Sequence, residues 1–199
     1  MQSVGVLLLA AGASTRLGQP KQLLPFQGKS LLRRAAETAS ATGCGPVVLV
    51  TGALHDELLP EVAGLPVAAV RNLRWADGMS SSIAAGLAYL EARAPALEAV
   101  LVLVCDQPLL TVDVLQQLIA RFQPERPPVV ASAYAGVRGV PALFSRALFG
   151  ELRQLSGPAG ARELLHRYSD VAAVDFPGGV VDVDTMEQYN ALVQHSAEA

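Results

Sequence analysis

From Val4 to Leu9 the chain reads VGVLLL, with no polar residue, and then breaks into a loop holding Gly12, Ser14, Arg16, Gly18 and Lys21. A strand with one wet face alternates polar and apolar side chains. A strand without alternation must be covered on both faces, which is the habit of parallel sheets enclosed by helices. Val47–Thr51 and Ala99–Val104 have the same character.

The segments between these runs supply the covering. Helices are expected over Ser30–Thr42 (Ser30 as N-cap, Gly43 as stop), Asp56–Val62, Ser80–Arg93, Val112–Phe122 after Thr111, Ser145–Leu152, Ala159–Tyr168 and Thr185–Gln194. Serines ahead of the Ser80–Arg93 pattern are good cap residues. Further strands are expected at Val67–Val70, Val129–Ala133, Val171–Asp175 and Val180–Val183. This alternation implies βαβ units: a Rossmann-like α/β fold with a mainly parallel, twisted sheet and helices on both faces. Residues 1–199 read as one domain, with Gln123–Pro128 as a sharp turn rather than a linker. Ligands of such sheets bind in the crevice outside the carboxyl ends of the strands.

Composition removes several function classes. The formal charge is −3 and there is no long basic block, so no nucleic-acid partner is expected. No apolar stretch approaches the roughly 18 residues of a membrane span, and Met1 is not followed by a basic leader. A soluble, cytoplasmic protein without membrane contact is the expectation. Cys44 and Cys105 lack CxxC spacing, and His55, His166 and His195 are scattered. They read as core or near-core thiols in a reducing compartment, not as a zinc site.

The loop after the first run combines small residues with Arg16 and Lys21. Glycine lets the backbone approach a ligand, successive N–H groups form an anion-binding concavity, and the cations add full charge. The pattern is neither a Walker A sequence nor GxGxxG; an ordinary surface connection is the competing reading. The chain has 13 arginines but only two lysines, Lys21 and Lys29, both just past this loop. A compact ammonium there does what a planar guanidinium does not.

Acidic residues supply the second element. Asp106 directly follows the Ala99–Val104 run, in CDQP, and a hard oxygen ligand there suits Mg²⁺, which takes one or two carboxylates plus substrate phosphates; a turn-forming Asp is the alternative. Asp182 and Asp184, at strand spacing, share a face and repel unless a cation lies between them. Asp184 with Glu187 also fits a helix capping box, which makes Asp182 the better ligand and Asp184 the better cap. The third element is Gly78-Met79-Ser80-Ser81-Ser82 at the start of a helix, where free N–H groups and hydroxyls gather.

Leu9-Ala10-Ala11-Gly12, Ser14, Arg16, Leu17-Gly18, Lys21, Leu23-Leu24 and Gly28 together resemble the LAAGxSxRMGxxKxLLxxxG motif of nucleotidyltransferases, with Leu17 where Met is usual. The GMSxSI-like segment with Ser82, the Asp106-Gln107-Pro108 segment and the final Asp182-Val183-Asp184 follow in that family's order. Arg138–Phe144 holds a GxPxxF pattern, and Gly157–Arg162 resembles GDxGAR with Pro158 where Asp is usual. Both patterns resemble the molybdenum-cofactor cytidylyltransferase-like branch of the MobA-like family.

The resemblance implies a nucleotide-diphospho-sugar transferase-like fold and a Mg²⁺-dependent nucleotidyltransferase. It implies nucleotide contacts from Leu9, Ala10, Ala11, Gly12, Ser14, Arg16, Lys21, Gly78, Ser82 and Asp106, with Arg16, Lys21 and Asp106 catalytic. It implies Mg²⁺ on Asp106, completed by Asp182 or Asp184, and acceptor contacts from Gly139, Pro141 and Arg162. LAAG rather than LAGG implies CTP, and the branch implies a molybdopterin-type acceptor and a molybdoenzyme client. Two readings compete: a cytidylyltransferase for another small phosphorylated acceptor, and a non-catalytic molybdenum-cofactor chaperone, which Pro158 leaves open.

Overall fold

The computed structural model describes residues 3–14, 17–168 and 171–197. In chain order the elements are β1 (Val4–Ala10), a small hairpin of β2 (Pro25–Phe26) and β3 (Lys29–Ser30), α1 (Leu31–Ala41), β4 (Val47–Thr51), α2 (His55–Leu58), β5 (Val67–Arg71), α3 (Met79–Arg93), β6 (Ala99–Val104), α4 (Val112–Phe122), β7 (Val129–Tyr134), β8 (Val137–Ser145), α5 (Phe149–Gln154), α6 (Arg162–Arg167), β9 (Ala172–Asp175) and α7 (Met186–Ala197). Seven strands form one sheet in the order β5-β4-β1-β6-β8-β7-β9. Every pairing is parallel except those of β8 with β6 and with β7. The expected fold class is the observed one.

The pleat of β1 divides the core. Val6, Leu8 and Ala10 pack with Leu32, Ala36 and Leu115 from α1 and α4. Leu7 and Leu9 pack with Ile83, Leu87 and Leu90 of α3 on the other face. All seven residues of β1 are buried, which is why the run carries no alternation. The contact with α3 is close at Gly86, where a Cβ would lie 2.6 Å from Val50 Cγ2 and 2.8 Å from Leu7 Cδ2. A third cluster joins Leu24, Phe26 and Leu31 to Val183 and Leu192, and so fastens α7 over the loop after β1.

Strand order sets the location of a ligand crevice. From β1 the chain builds outward through β4 and β5, then returns to add β6 on the other side of β1. The order reverses between β1 and β6, where Leu9 pairs with Val104. The residues after Ala10 and Val104 therefore leave the sheet side by side at its carboxyl edge, the switch point of such folds.

Several expectations held at the caps. Ser30 Oγ accepts the Arg33 N–H at the start of α1, and Thr111 does the same for Val114 N–H on α4; each such cap contributes about 1 kcal/mol. Others need correction. The cap of α3 is Gly78, with no side-chain capping bond, so the serines are not its caps. The Asp56–Val62 helix is a single turn, His55–Leu58, continued as a 3-10 turn through Pro60. Arg146–Leu148 is likewise a 3-10 turn ahead of α5, and α6 begins at Arg162, not Ala159.

No strand forms at Val180–Val183. Pro177–Val180 closes a 3-10 turn and the chain then runs irregularly into α7, tied down by Val183 N–H donating to the Asp106 carbonyl at 3.0 Å. In its place β8 was unforeseen. Pro141 within it has no N–H for a ladder, and the β7–β8 register slips between Ala131 and Ser132 to accommodate Val140 and Pro141. Ser132 Oγ donates to the Pro141 carbonyl at 2.8 Å across that irregularity.

Candidate active site

The loop after β1 is held by one buried side chain. Gln22, only 1% exposed, donates through Nε2 to the carbonyls of Gly12 (2.7 Å) and Ala10 (3.3 Å), and its Oε1 accepts the Ser14 hydroxyl at 3.1 Å. Ser14 Oγ in turn accepts the Lys21 backbone N–H at 3.1 Å. The Ala11 carbonyl accepts from Ala53 N–H. With the carbonyls of Ala10, Ala11 and Gly12 and the Lys21 N–H all engaged by the protein's own groups, the backbone from Ala10 to Gly12 and at Lys21 is held without any ligand.

Lys21 lies at the centre of the site. Its Nζ lies 2.5 Å from Asp106 Oδ2 and 2.8 Å from Asp184 Oδ1. Burial by itself would lower the ammonium's pKa; Asp106 and Asp184 outweigh burial and hold it well above the ordinary lysine value. Asp182 is not part of that ion pair. Its Oδ1 accepts from Gln188 Nε2 at 3.1 Å, and burial, together with the charges of Asp184 and Asp106, raises its carboxyl above the ordinary range.

The acidic pair is thus arranged differently from the expectation. Their i and i+2 spacing is not on a strand. The capping box is formed one residue later: Gln188 Oε1 accepts the Thr185 N–H at 2.9 Å and Thr185 Oγ1 accepts the Gln188 N–H. Asp184 is thereby left for Lys21 and is not the cap, and Glu187 is not the box residue.

Two clefts open at this point. The smaller, about 340 Å³, is lined by Leu9, Ala10, Ala11, Gly12, Lys21, Gly78, Ser82 and Asp106, eight of the residues expected to contact nucleotide. Ser82 is 3% exposed and its hydroxyl accepts from Asn72 Nδ2 at 3.0 Å, which fixes its orientation. Ser14 lines neither cleft and serves the loop. Arg16 lies outside the described residues. Gly78 has φ +102°, and a Cβ there would lie 2.6 Å from the Gly157 carbonyl oxygen, so its close approach is to the protein's own backbone. The GxxGAR-like segment thus braces the start of α3.

The larger cleft, about 540 Å³, is lined by Lys21, Asp106, Asp182 and Asp184 on one side and by Tyr134, Gly139, Val140 and Arg162 on the other. Gly139 and Arg162, two of the residues expected to contact the acceptor, line this cleft. Pro141 is buried behind the wall, and Val140 takes its place in the lining. Gly139 makes room for Tyr134, since a Cβ there would lie 2.0 Å from the phenol oxygen. Tyr134 Oη and Gln107 Nε2 both donate to the Val140 carbonyl, at 3.3 and 3.0 Å. Sequence reasoning missed Gln22, Tyr134 and Gln107. Gln22 and Gln107 do sit inside the two strongest motifs, beside Lys21 and Asp106. The two clefts meet along Lys21, Met79, Val104, Asp106 and Pro158.

Cys105 is buried under this junction, and burial pushes its thiol up to about 12. Among the described residues no three His, Cys, Asp or Glu side chains form a ready-made metal cage. Mg²⁺ needs none, because substrate phosphates and water complete its shell. Asp106 and Asp184 on the ammonium, with Asp182 lining the same cleft, are oxygen donors with the charge and hardness to take such an ion. No helix among the described residues is long and apolar enough to cross a membrane.

The chain matches the family described as MobA-like NTP transferase domain over residues 6–171. It is 35% identical to the nicotine blue oxidoreductase of Paenarthrobacter nicotinovorans, covering 94% of this chain and 95% of that protein. It is 23% identical to the molybdenum cofactor cytidylyltransferase of Escherichia coli K12, covering 95% of each. Among solved structures, Rv0371c from Mycobacterium tuberculosis H37Rv in complex with manganese aligns with a TM-score of 0.74 and 29% identity, covering 96% of this chain and 98% of that one.

Proposed function

Since the chain belongs to the MobA-like NTP transferase family and is a nucleotidyltransferase, we propose that it transfers CMP from CTP to the phosphate of molybdenum-molybdopterin and releases pyrophosphate. The observation that carries this reading is the junction of two clefts at Lys21 and Asp106. A donor nucleotide in the smaller cleft and an acceptor phosphate in the larger one would face each other there. An acceptor oxygen then attacks the α-phosphorus, the α–β bridging bond breaks, and its electron pair leaves with pyrophosphate. The acceptor phosphate is already an anion, so no protein nucleophile is required. Positioning and charge stabilisation are the protein's part.

In this reading Lys21 neutralises charge that grows on the phosphate oxygens, and the N–H groups of the loop after β1 hold the triphosphate. Asp106, with Asp182 or Asp184, would hold a divalent ion, which when bound supplies Lewis-acid shielding of the phosphates. That a mycobacterial homologue's structure is a complex with manganese supports a divalent ion in this reading. Arg162 faces the acceptor's own phosphate. The methyl group of Ala11 narrows the smaller cleft, which favours a pyrimidine, and the E. coli relative's name supports CTP.

Pyrophosphate release is to be measured with each nucleoside triphosphate, with and without molybdenum-molybdopterin. Release that needs both CTP and the acceptor is the expected result. Release with CTP and a different phosphorylated acceptor would replace the acceptor assignment alone. No release with any triphosphate would overturn the reading, and would turn attention to the redox chemistry in the Paenarthrobacter relative's name.

A further inference from the structure

We propose that Lys21 locks the metal site in the nucleotide-free protein, so that the divalent ion enters as a metal–nucleotide complex and not alone. This rests on the nucleotidyl-transfer reading of the same site. The ammonium is shared by two carboxylates that come from distant parts of the chain, Asp106 after β6 and Asp184 before α7, at 2.5 and 2.8 Å. A Mg²⁺ ion on the same oxygens requires distances of about 2.0–2.1 Å. It would then stand within a few ångströms of the ammonium in a partly buried site, where like charges repel more strongly than in open water. The ammonium and the ion therefore compete for Asp106 and Asp184.

A nucleotide ends the competition. Lys21 lines both clefts, so its flexible stem reaches phosphate oxygens in either by rotation alone. Triphosphate oxygens offer the ammonium anionic partners equivalent to those it leaves. The vacated carboxylates then receive the ion that the triphosphate carries in. Until that moment the acidic cluster has its own counter-charge, and idle divalent ions do not occupy it. The backbone of Lys21 has no part in the exchange, because Ser14 and Gln22 fix it from below.

The test is Mn²⁺ binding to nucleotide-free protein, read from the electron paramagnetic resonance of the free ion, in wild type, Lys21→Met, Lys29→Met and Lys21→Met/Asp106→Asn. Lys21→Met should bind Mn²⁺ at least about tenfold tighter than wild type, because one adjacent positive charge is removed from a partly buried site. Lys29→Met should match wild type, and Asp106→Asn should abolish the gain. Equal affinity in wild type and Lys21→Met, or a gain that survives Asp106→Asn, overturns the lock.

A second measurement uses the unmutated site. With only two lysines in the chain, [¹³Cε]lysine labelling gives two signals, assigned by Lys29→Arg. The Lys21 signal should stay in place with Mg²⁺ alone and move when CTP is added with Mg²⁺. A shift of equal size with Mg²⁺ alone would refute the lock. If wild type fails to release pyrophosphate from any triphosphate, the functional reading has failed; if it turns over CTP and Lys21→Met gains no affinity, only the lock has.

Discussion

Gln22 Nε2 lies 2.7 Å from the carbonyl oxygen of Gly12, ten residues back along the chain. That bond, with those to Ala10 and Ser14, makes a single amide the clasp of the loop after β1. Gln22→Leu would leave two carbonyls and a hydroxyl without that partner, at a cost of about 1–3 kcal/mol for the buried groups. A lower melting temperature together with weaker CTP binding is the expected result of thermal denaturation and nucleotide titration. Wild-type values in both would show that the loop holds without the clasp.

The Lys21 series separates chemistry from binding. Lys21→Ala should lower kcat more than nucleotide affinity, because charge on the phosphate oxygens grows in the transition state. Lys21→Arg should rescue poorly, since a planar fork does not fit between Asp106 and Asp184 where a point charge does. Lys29→Ala should be nearly silent. Lys29 is half exposed and its pair with Glu37, at 2.6 Å, is of the surface kind that contributes little. Parallel measurement of kcat and nucleotide Kd checks all three.

Asp182 gives a pH-dependent effect with a definite sign. Burial first, then Asp184 and Asp106, raises its carboxyl above the ordinary value of 3.8. A group whose pKa is higher folded than unfolded contributes stability that is full below the unfolded value and is lost as pH rises through the folded one. Asp182→Asn stays neutral throughout. It should therefore melt higher than wild type near neutral pH, with the difference closing as pH falls to the carboxylate range, while turnover drops if Asp182 helps hold the ion. Melting curves between pH 3.5 and 7, on the scale set by that 3.8 reference, would show the divergence; parallel curves would contradict the charge crowding.

How far the sequence could carry the fold depends on which forces are local. The unalternating runs identified β1, β4 and β6 because burial on both faces leaves its mark on every residue. The caps at Ser30 and Thr111 were legible because one side chain and one N–H decide them. The strand β8 was not, because Gly139 and Pro141 read as breakers until the slipped register with β7 accommodates them. In the site, Lys21 and Asp106 stood out by motif, and the structure brings them into contact. The cap role of Asp184 was misjudged: a box at Thr185–Gln188 and one at Asp184–Glu187 differ by a single residue, and only the ion pair across 163 positions chooses between them.

Gly139 is a position where packing meets the proposed acceptor cleft. Gly139→Ala would place a methyl carbon where the Tyr134 phenol oxygen lies, at a separation of 2.0 Å, and force the ring from its bond to the Val140 carbonyl. KM for the acceptor should rise by about tenfold, the scale of one lost hydrogen-bonded contact, with the Kd for CTP unchanged. Steady-state kinetics in the acceptor and equilibrium titration with CTP separate the two. An equal loss in both would mean that the larger cleft is not the acceptor's.

The most direct test of the account is transfer of label from [α-³²P]CTP to molybdenum-molybdopterin, followed in wild type and Asp106→Asn in the presence of Mg²⁺. The account predicts labelled acceptor and an equivalent amount of pyrophosphate in wild type, and a loss on the order of 10²-fold or more in Asp106→Asn, where the ion's carboxylate and the partner of Lys21 disappear together. Folded wild-type protein that moves no label, or an Asp106→Asn variant that transfers it at the wild-type rate, would contradict it.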